Sequence, residues 1–354
     1  MSFIDALKPY LGDINTLTDI SSTGKEDYVH PARRLLGSVT IVTLREIIAP
    51  TVFRNSEAET TTIMTRETCR VRATPNKFKF HERANGLKLL RHFNVGGAYP
   101  QNRHAMKESD APSQAFDLNS LVFGDSVNRG NQVWPVKASA LYSDGLSLQD
   151  KDVCVGETFH NRASEDGTLF DSETKKNSTN IFTRHFITPG TLLVQVITTN
   201  GRTMPIEAFN HLLLCLGDAG AYGGQTSISG VNVRTHLVGI YASKLERAST
   251  SPYEIVDNLG NLPEILKVDV AIAAIDAYVA PDQEVAIPHA DAEKLRSDLI
   301  TRLVKDDNSL RQSYVGAKAK VGSLFDLWFV GDQPKKSTIK ASAASATAEP
   351  QPPM

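Results

Sequence analysis

The chain has 354 residues, 41% of them hydrophobic, and a formal net charge of −2, which allows a sizeable core and excludes a protein that coats nucleic acid by bulk charge alone. Cys69, Cys154 and Cys215 are odd in number, far apart and free of any C-x-x-C pair, which argues against a disulfide framework or a zinc ribbon. No apolar run is long enough to span a bilayer and Met1 to Gly12 lacks the pattern of a signal peptide, so a cytoplasmic location without a membrane partner is expected.

Residues 1–37 mix polar and turn residues with a short apolar stretch and read as a surface segment. Ser38 to Ile48 is the first clear strand, a β-branched run of the kind buried on both faces of a sheet. From Thr60 to Arg83 the chain alternates: Thr62, Met64, Arg66, Arg70 and Arg72 share one face, Ile63, Cys69 and Val71 the other. After Thr74-Pro75-Asn76, Lys77, Lys79, His81 and Arg83 alternate with Phe78 and Phe80, so a β-hairpin with one basic face is expected. Lys88, Arg91 and His92 extend the basic character, and Arg54 and Arg103 flank it. Cations interleaved with Phe, in a chain of near-zero net charge, suit a phosphate backbone with stackable bases.

Phe116 to Phe123 reads as a short helix closed by Gly124, and Val136–Tyr142 and Val153–Phe159 as strands. The polar, turn-rich Asn161 to Lys176 followed by the alternating Ile181–Ile187 predicts a projecting hairpin. Pro189-Gly190 opens a strand over Thr191–Thr199, and Asn200-Gly201 ends it. Ile206, Phe209, Leu212, Leu213 and Leu216 then recur at helical spacing, with Pro205 in the first turn, Thr203 as the expected cap and Gly217 as the stop.

Gly217 to Gly230 has too few apolar side chains for a core but many free amides and small hydroxyls, a surface suited to phosphate oxygens. It matches neither the Walker nor the dinucleotide glycine pattern. Val231–Ser243 reads as a strand with Asn232, Arg234 and His236 on its polar face. Helical spacing returns at Pro263–Val279 and Ala290–Val304, and Leu324–Val330 is apolar enough to dock, which makes 244–334 a helical part packed on the main body. Residues 335–354 have the Ala, Ser and Pro composition of a disordered tail.

Strand, helix, two strands, helix and strand give an α+β fold of ferredoxin-like topology, shared with RNA-recognition (RRM-like) domains. Neither aromatic RNA-recognition consensus is present, so bases stacked on the open sheet are not expected.

Phe123-Gly124, Pro189-Gly190-Thr191 and, most specifically, Gly220-Ala-Tyr-Gly-Gly-Gln-Thr-Ser227 resemble the backbone subunit of the CRISPR type I-D (Cascade) effector complex, in the RAMP superfamily. The resemblance implies a hand-shaped protein that polymerises with itself and other subunits along a guide RNA, presenting the guide to target DNA or RNA. It implies a palm over residues 38–243, a finger insertion at about 54–110 and a thumb insertion at about 145–188. Guide contacts would then come from Arg54, Arg66, Arg70, Arg72, Lys77, Lys79, Arg83, Lys88, Arg91, His92 and Arg103, from Arg184 and His185 on the thumb, and from Tyr222, Gly223, Gly224, Gln225, Thr226 and Ser227.

Two other chemistries are weighed. Related subunits of type III complexes cut target RNA with an acid after the first strand; Glu57, Glu59, Asp110 and Asp117 are the counterparts in reach, and only this activity would require a divalent metal as cofactor. Cys69, His81, His92 and His104 could support a zinc finger, but Asn85 stands where H-E-x-x-H needs its second histidine, and surface histidines are the better reading.

Overall fold

The computed structural model describes residues 3–15, 17, 35–53, 60–97, 112–129, 132–161, 170–171, 175–177, 181–223, 230–259 and 266–328. The first half comprises α1 (Phe3–Leu7), β1 (Ser38–Ile47), β2 (Thr62–Thr65), β3 (Thr68–Ala73), α2 (Asn76–His92), α3 (Leu118–Phe123), β4 (Asp125–Arg129), β5 (Gln132–Val136), β6 (Ala140–Tyr142) and β7 (Gly145–Ser147). There follow α4 (Lys151–Cys154), β8 (Val155–Asn161), the two-residue strands β9 (Phe170–Asp171) and β10 (Lys176–Asn177), β11 (Ile181–Ile187), β12 (Leu192–Thr199), α5 (Ile206–Cys215) and β13 (Val233–Ser243). The chain closes with α6 (Pro252–Asn258), α7 (Val268–Val279), β14 (Val285–Pro288), α8 (His289–Val304) and α9 (Asn308–Trp328).

The main sheet runs β14-β13-β1-β12-β7-β3-β2, with β6 also on β12. β1 lies at its heart, antiparallel to β12, where Thr40 faces Thr198, and to β13, with a register shift between Val42 and Thr43. Because side chains alternate along a strand, Val39 and Ile41 pack into one cluster with α2, α3, α5, α8 and α9, and Val42 and Leu44 into another with α6 and α7. Each such fully buried side chain contributes roughly 1.5–3 kcal/mol. Helices on both faces explain the uninterrupted apolar run of β1 and leave no open face above it for stacked bases. The result is a mixed α+β fold on an antiparallel sheet.

Several expectations need correction. The second arm of the basic hairpin is the helix α2: seven residues of K-F-K-F alternation satisfy a strand, but Phe78, Glu82, Gly86, Leu89, Leu90 and Phe93 are buried at spacings that only a helix provides. The N-terminal segment is no mere surface piece, since Leu7, Leu11, Ile14 and Leu17 are core residues. Val136–Tyr142 is split: β5 pairs back on β4 and ends at Val136, and β6 starts at Ala140. Thr203 donates to the Asn200 carbonyl instead of capping α5. The strand β14, the short α6 and the 21 residues of α9 carry no counterpart in the sequence reading beyond the docking stretch at Leu324. Strands β8 and β11 pair antiparallel from Val155–Ile187 to Asn161–Ile181. The tail from 335 lies outside the described residues.

Candidate nucleic-acid interface

The first half of α2 and the start of the glycine-rich loop are joined by a buried polar network. Arg45, the one cation in β1, donates to Glu82 Oε1 at 2.6 Å, to Thr235 Oγ1 at 2.8 Å and to Gln195 Oε1 at 2.9 and 3.2 Å. Glu82 also accepts from Tyr142 at 2.7 Å and from Tyr222 at 3.1 Å. A buried ion pair survives only when its remaining donors and acceptors are satisfied, and here they are. Burial, and after it the charge of Glu82, pushes both phenols well above their ordinary pKa, so they remain donors.

The loop is pinned at its base. Asn232 accepts from the Tyr222 N–H at 2.8 Å and donates to the Tyr222 carbonyl at 2.7 Å and to Thr51 at 3.0 Å, so a side chain completes what strand pairing would otherwise supply. Gly223 follows at φ +111°, where a Cβ would stand 2.5 Å from the Val52 carbonyl oxygen. Its N–H donates to His81 Nε2 at 3.2 Å, which fixes His81 as the neutral ring protonated on Nδ1; burial likewise lowers its pKa.

Against this geometry the expected guide contacts divide. Tyr222 is 0% exposed and belongs to the core, not to an RNA surface. Arg70 is buried too, its guanidinium held by the carbonyls of Ser147, Leu148 and Val256 and by Thr65. The single cationic ribbon is not formed. Arg66 reaches Asp257, Arg72 reaches Asp144 at 2.8 Å, Arg83 reaches Asp125 at 2.9 Å, His92 reaches Asp306 at 2.9 Å, and Arg91 donates to the Gly97 carbonyl. His185 lies 3.5 Å from Glu157 across the β8–β11 hairpin.

Of the expected guide cations, Lys79, Lys88 and Arg184 make no ion pair or side-chain hydrogen bond among the described residues. Lys79 is half-buried, and burial followed by the charge of Arg83 one turn away lowers its pKa. Lys77, also half-buried, is lowered by burial. Arg54, Arg103, His104, Gly224, Gln225, Thr226 and Ser227 lie outside the described residues.

Of the proposed acids, Glu57, Glu59 and Asp110 lie outside the described residues. Asp117 is the N-cap of α3: it accepts from the Ser120 N–H at 2.9 Å and from the Gly97 N–H at 3.0 Å and is buried, a structural role rather than a catalytic one. Cys69 sits in β3, while the free nitrogen of His81 is taken by Gly223 and that of His92 by Asp306; no group of three or more His, Cys, Asp or Glu suited to a metal occurs among the described residues. The sequence reading missed Arg45, Tyr142, Gln195 and the inward turn of Asn232. An arginine in a run buried on both faces was the available signal, because such a charge requires a buried partner.

Fold and site together define a mixed α+β protein with a sheet covered on both faces and a small cationic surface at α2. The family model described as Csc2 Crispr matches residues 37–278, and the chain belongs to the Csc2 family of CRISPR proteins. The crystal structure of Thermofilum pendens Csc2 is similar at TM-score 0.56 and 15% identity, over 91% of this chain and 95% of that one. A CRISPR RNA-guided surveillance complex chain aligns at TM-score 0.44 and 10% identity over 70% of this chain and 86% of its own; a pre-nicking form of such a complex aligns at 0.46 and 10%, over 71% and 90%. No curated protein matches. No helix among the described residues is long and apolar enough to cross a membrane.

Proposed function

We propose that this chain is the repeated backbone subunit of a type I-D CRISPR effector complex, which binds guide RNA without sequence specificity, assembles along it with further copies and other subunits, and presents it to target nucleic acid. Membership in the Csc2 family carries the reading. In support, the strand order β13-β1-β12-β6, with α2, α3 and α5 on one face, is compatible with a ferredoxin-like (RRM-like) palm, in which the fourth, first, third and second strands lie side by side. The β8–β11 hairpin belongs to the thumb at about 145–188 in this reading, the insertion at about 54–110 is the finger, and the cytoplasm is the place of action.

Base pairing by the guide would carry specificity, so the protein needs only backbone contacts and shape. Of the expected guide cations, Lys79, Lys88 and Arg184 are those left to make such contacts among the described residues, with the residues from Gly224 to Ser227 as amide and hydroxyl donors. The test is single-stranded RNA affinity as a function of salt. Log K is expected to decline with log salt by about 0.7 for each phosphate neutralised. Absence of binding, or binding indifferent to salt, refutes the reading.

A further inference from the structure

A ladder of aromatic rings leaves the core at α2 and ends in solvent. Ring centroids lie 5.2 Å apart from Phe53 to Phe78, 5.6 Å from Phe78 to Tyr222, 5.4 Å from Tyr222 to His81 and 5.3 Å from His81 to Phe80. Phe53, Phe78 and Tyr222 are buried, whereas Phe80 is 53% exposed. A single exposed phenyl ring is ordinary on a protein surface. Phe80 differs in two respects.

Its backing is fixed. His81 meets Phe80 edge-on at 88°, and the His81 ring is held by the Gly223 N–H and by its contact with the buried Tyr222, so the last ring of the ladder rests on an ordered base at the mouth of the glycine-rich loop. Its surroundings are cationic. Residues three and four apart on a helix are neighbours, which puts Lys77 one turn before Phe80 and Arg83 one turn after it, with Lys79 adjacent in the chain. Asp125 neutralises Arg83, whose Nε is buried, so the cation available beside the ring is Lys79, which has no carboxylate partner among the described residues. An apolar protein partner would have to leave the Lys79 charge unmatched on desolvation, whereas a nucleotide offers a π-face for the ring and a phosphate for the lysine.

We propose that Phe80 is a stacking platform for one base of bound single-stranded RNA, with the adjoining phosphate held by Lys79. The inference rests on the RNA-binding reading above and adds to it a contact to a base, sequence-tolerant because every base has a π-face.

The experiment compares wild type, Phe80→Leu and Phe80→Trp on a mixed-sequence single-stranded RNA and on an abasic ribose-phosphate strand of equal length. Phe80→Leu is expected to bind the base-bearing RNA about tenfold more weakly, and Phe80→Trp at least as tightly as wild type. All three should bind the abasic strand alike and share one salt slope, since no phosphate contact is lost. Equal affinity of wild type and Phe80→Leu for base-bearing RNA overturns the inference while leaving RNA binding intact. So does an equal loss on both strands, or a change confined to self-association of the RNA-free protein. Failure of wild type to bind either strand brings down the RNA-binding reading itself. Should Phe80→Leu not fold, Phe80→Trp decides: its new indole is expected to be quenched by the base-bearing RNA only, and quenching by neither strand, or by both, overturns the proposal.

Discussion

Tyr222 donates its phenolic proton to Glu82 at 3.1 Å, and neither side chain reaches solvent. The same carboxylate takes Arg45 from β1 and Tyr142 from β6, so sheet, helix and loop meet on one charge. Arg45→Met leaves that charge buried and uncompensated, and a loss of about 3–5 kcal/mol is expected in urea denaturation. The double variant Arg45→Met, Glu82→Leu should lose less than the two single variants summed, because the two groups are directly coupled. Additive losses would show that they are not.

Arg70 and Lys79 are expected to fail in opposite ways. Arg70 spends its donors on the Ser147, Leu148 and Val256 carbonyls, so Arg70→Met should cost stability, about 2–3 kcal/mol, and leave the salt slope of RNA binding unchanged in the folded fraction. Lys79 is a partly desolvated cation beside Arg83, so Lys79→Ala should leave stability intact and reduce the salt slope by about 0.7, the share of one phosphate. A steepened or unchanged slope for Lys79→Ala would remove it from the interface.

His211 makes stability depend on pH. It lies fully buried on α5, accepting from Tyr314 of α9 at 2.9 Å through Nδ1 and donating to Asn119 of α3 at 3.1 Å through Nε2. Burial lowers its pKa from 6.5 to about 3. The folded state therefore keeps a neutral ring where the unfolded chain takes up a proton. Its contribution is whole above pH 6.5 and drains as pH falls toward 3. The slope approaches about 1.4 kcal/mol per pH unit within that window. His211→Gln cannot titrate, so the stability difference between wild type and variant should shrink between pH 7 and pH 4. A difference constant over that range, measured by urea unfolding, would mean that His211 does not titrate as its burial requires.

The strands β1 and β12 were legible as β-branched runs buried on both faces, and α5 as an apolar stripe at helical spacing, each bounded by turn signals. The α2 segment misled because its first seven residues satisfy both periods, and only the buried positions out to Phe93 distinguish them. Charge was the weaker guide to the site. Arg66, Arg70, Arg72 and Arg83 look alike in sequence, yet their acceptors come from α6, the β7 region, Asp144 and Asp125, all remote along the chain. Tyr222 was read as a surface residue from its glycine neighbours, whereas the loop needs one large side chain to root it in the core.

Two glycines separate backbone conformation from close approach. Gly190 has φ +91° with open space where a Cβ would be, so Gly190→Ala should cost about 1 kcal/mol from its dihedral angles alone. Gly223 has φ +111° and in addition faces the Val52 carbonyl oxygen, 2.5 Å from the Cβ position. Backbone atoms of a buried strand exit cannot yield as a flexible side chain would. Gly223→Ala should therefore lose more than Gly190→Ala, release the N–H from His81 and weaken RNA binding beyond what the unfolded fraction explains. Thermal melts of both variants, with RNA affinity corrected for folded fraction, test the point. Equal losses in stability with unchanged affinity would mean that the loop base shifts freely, and that its pinning by Tyr222, Asn232 and His81 has no bearing on the interface.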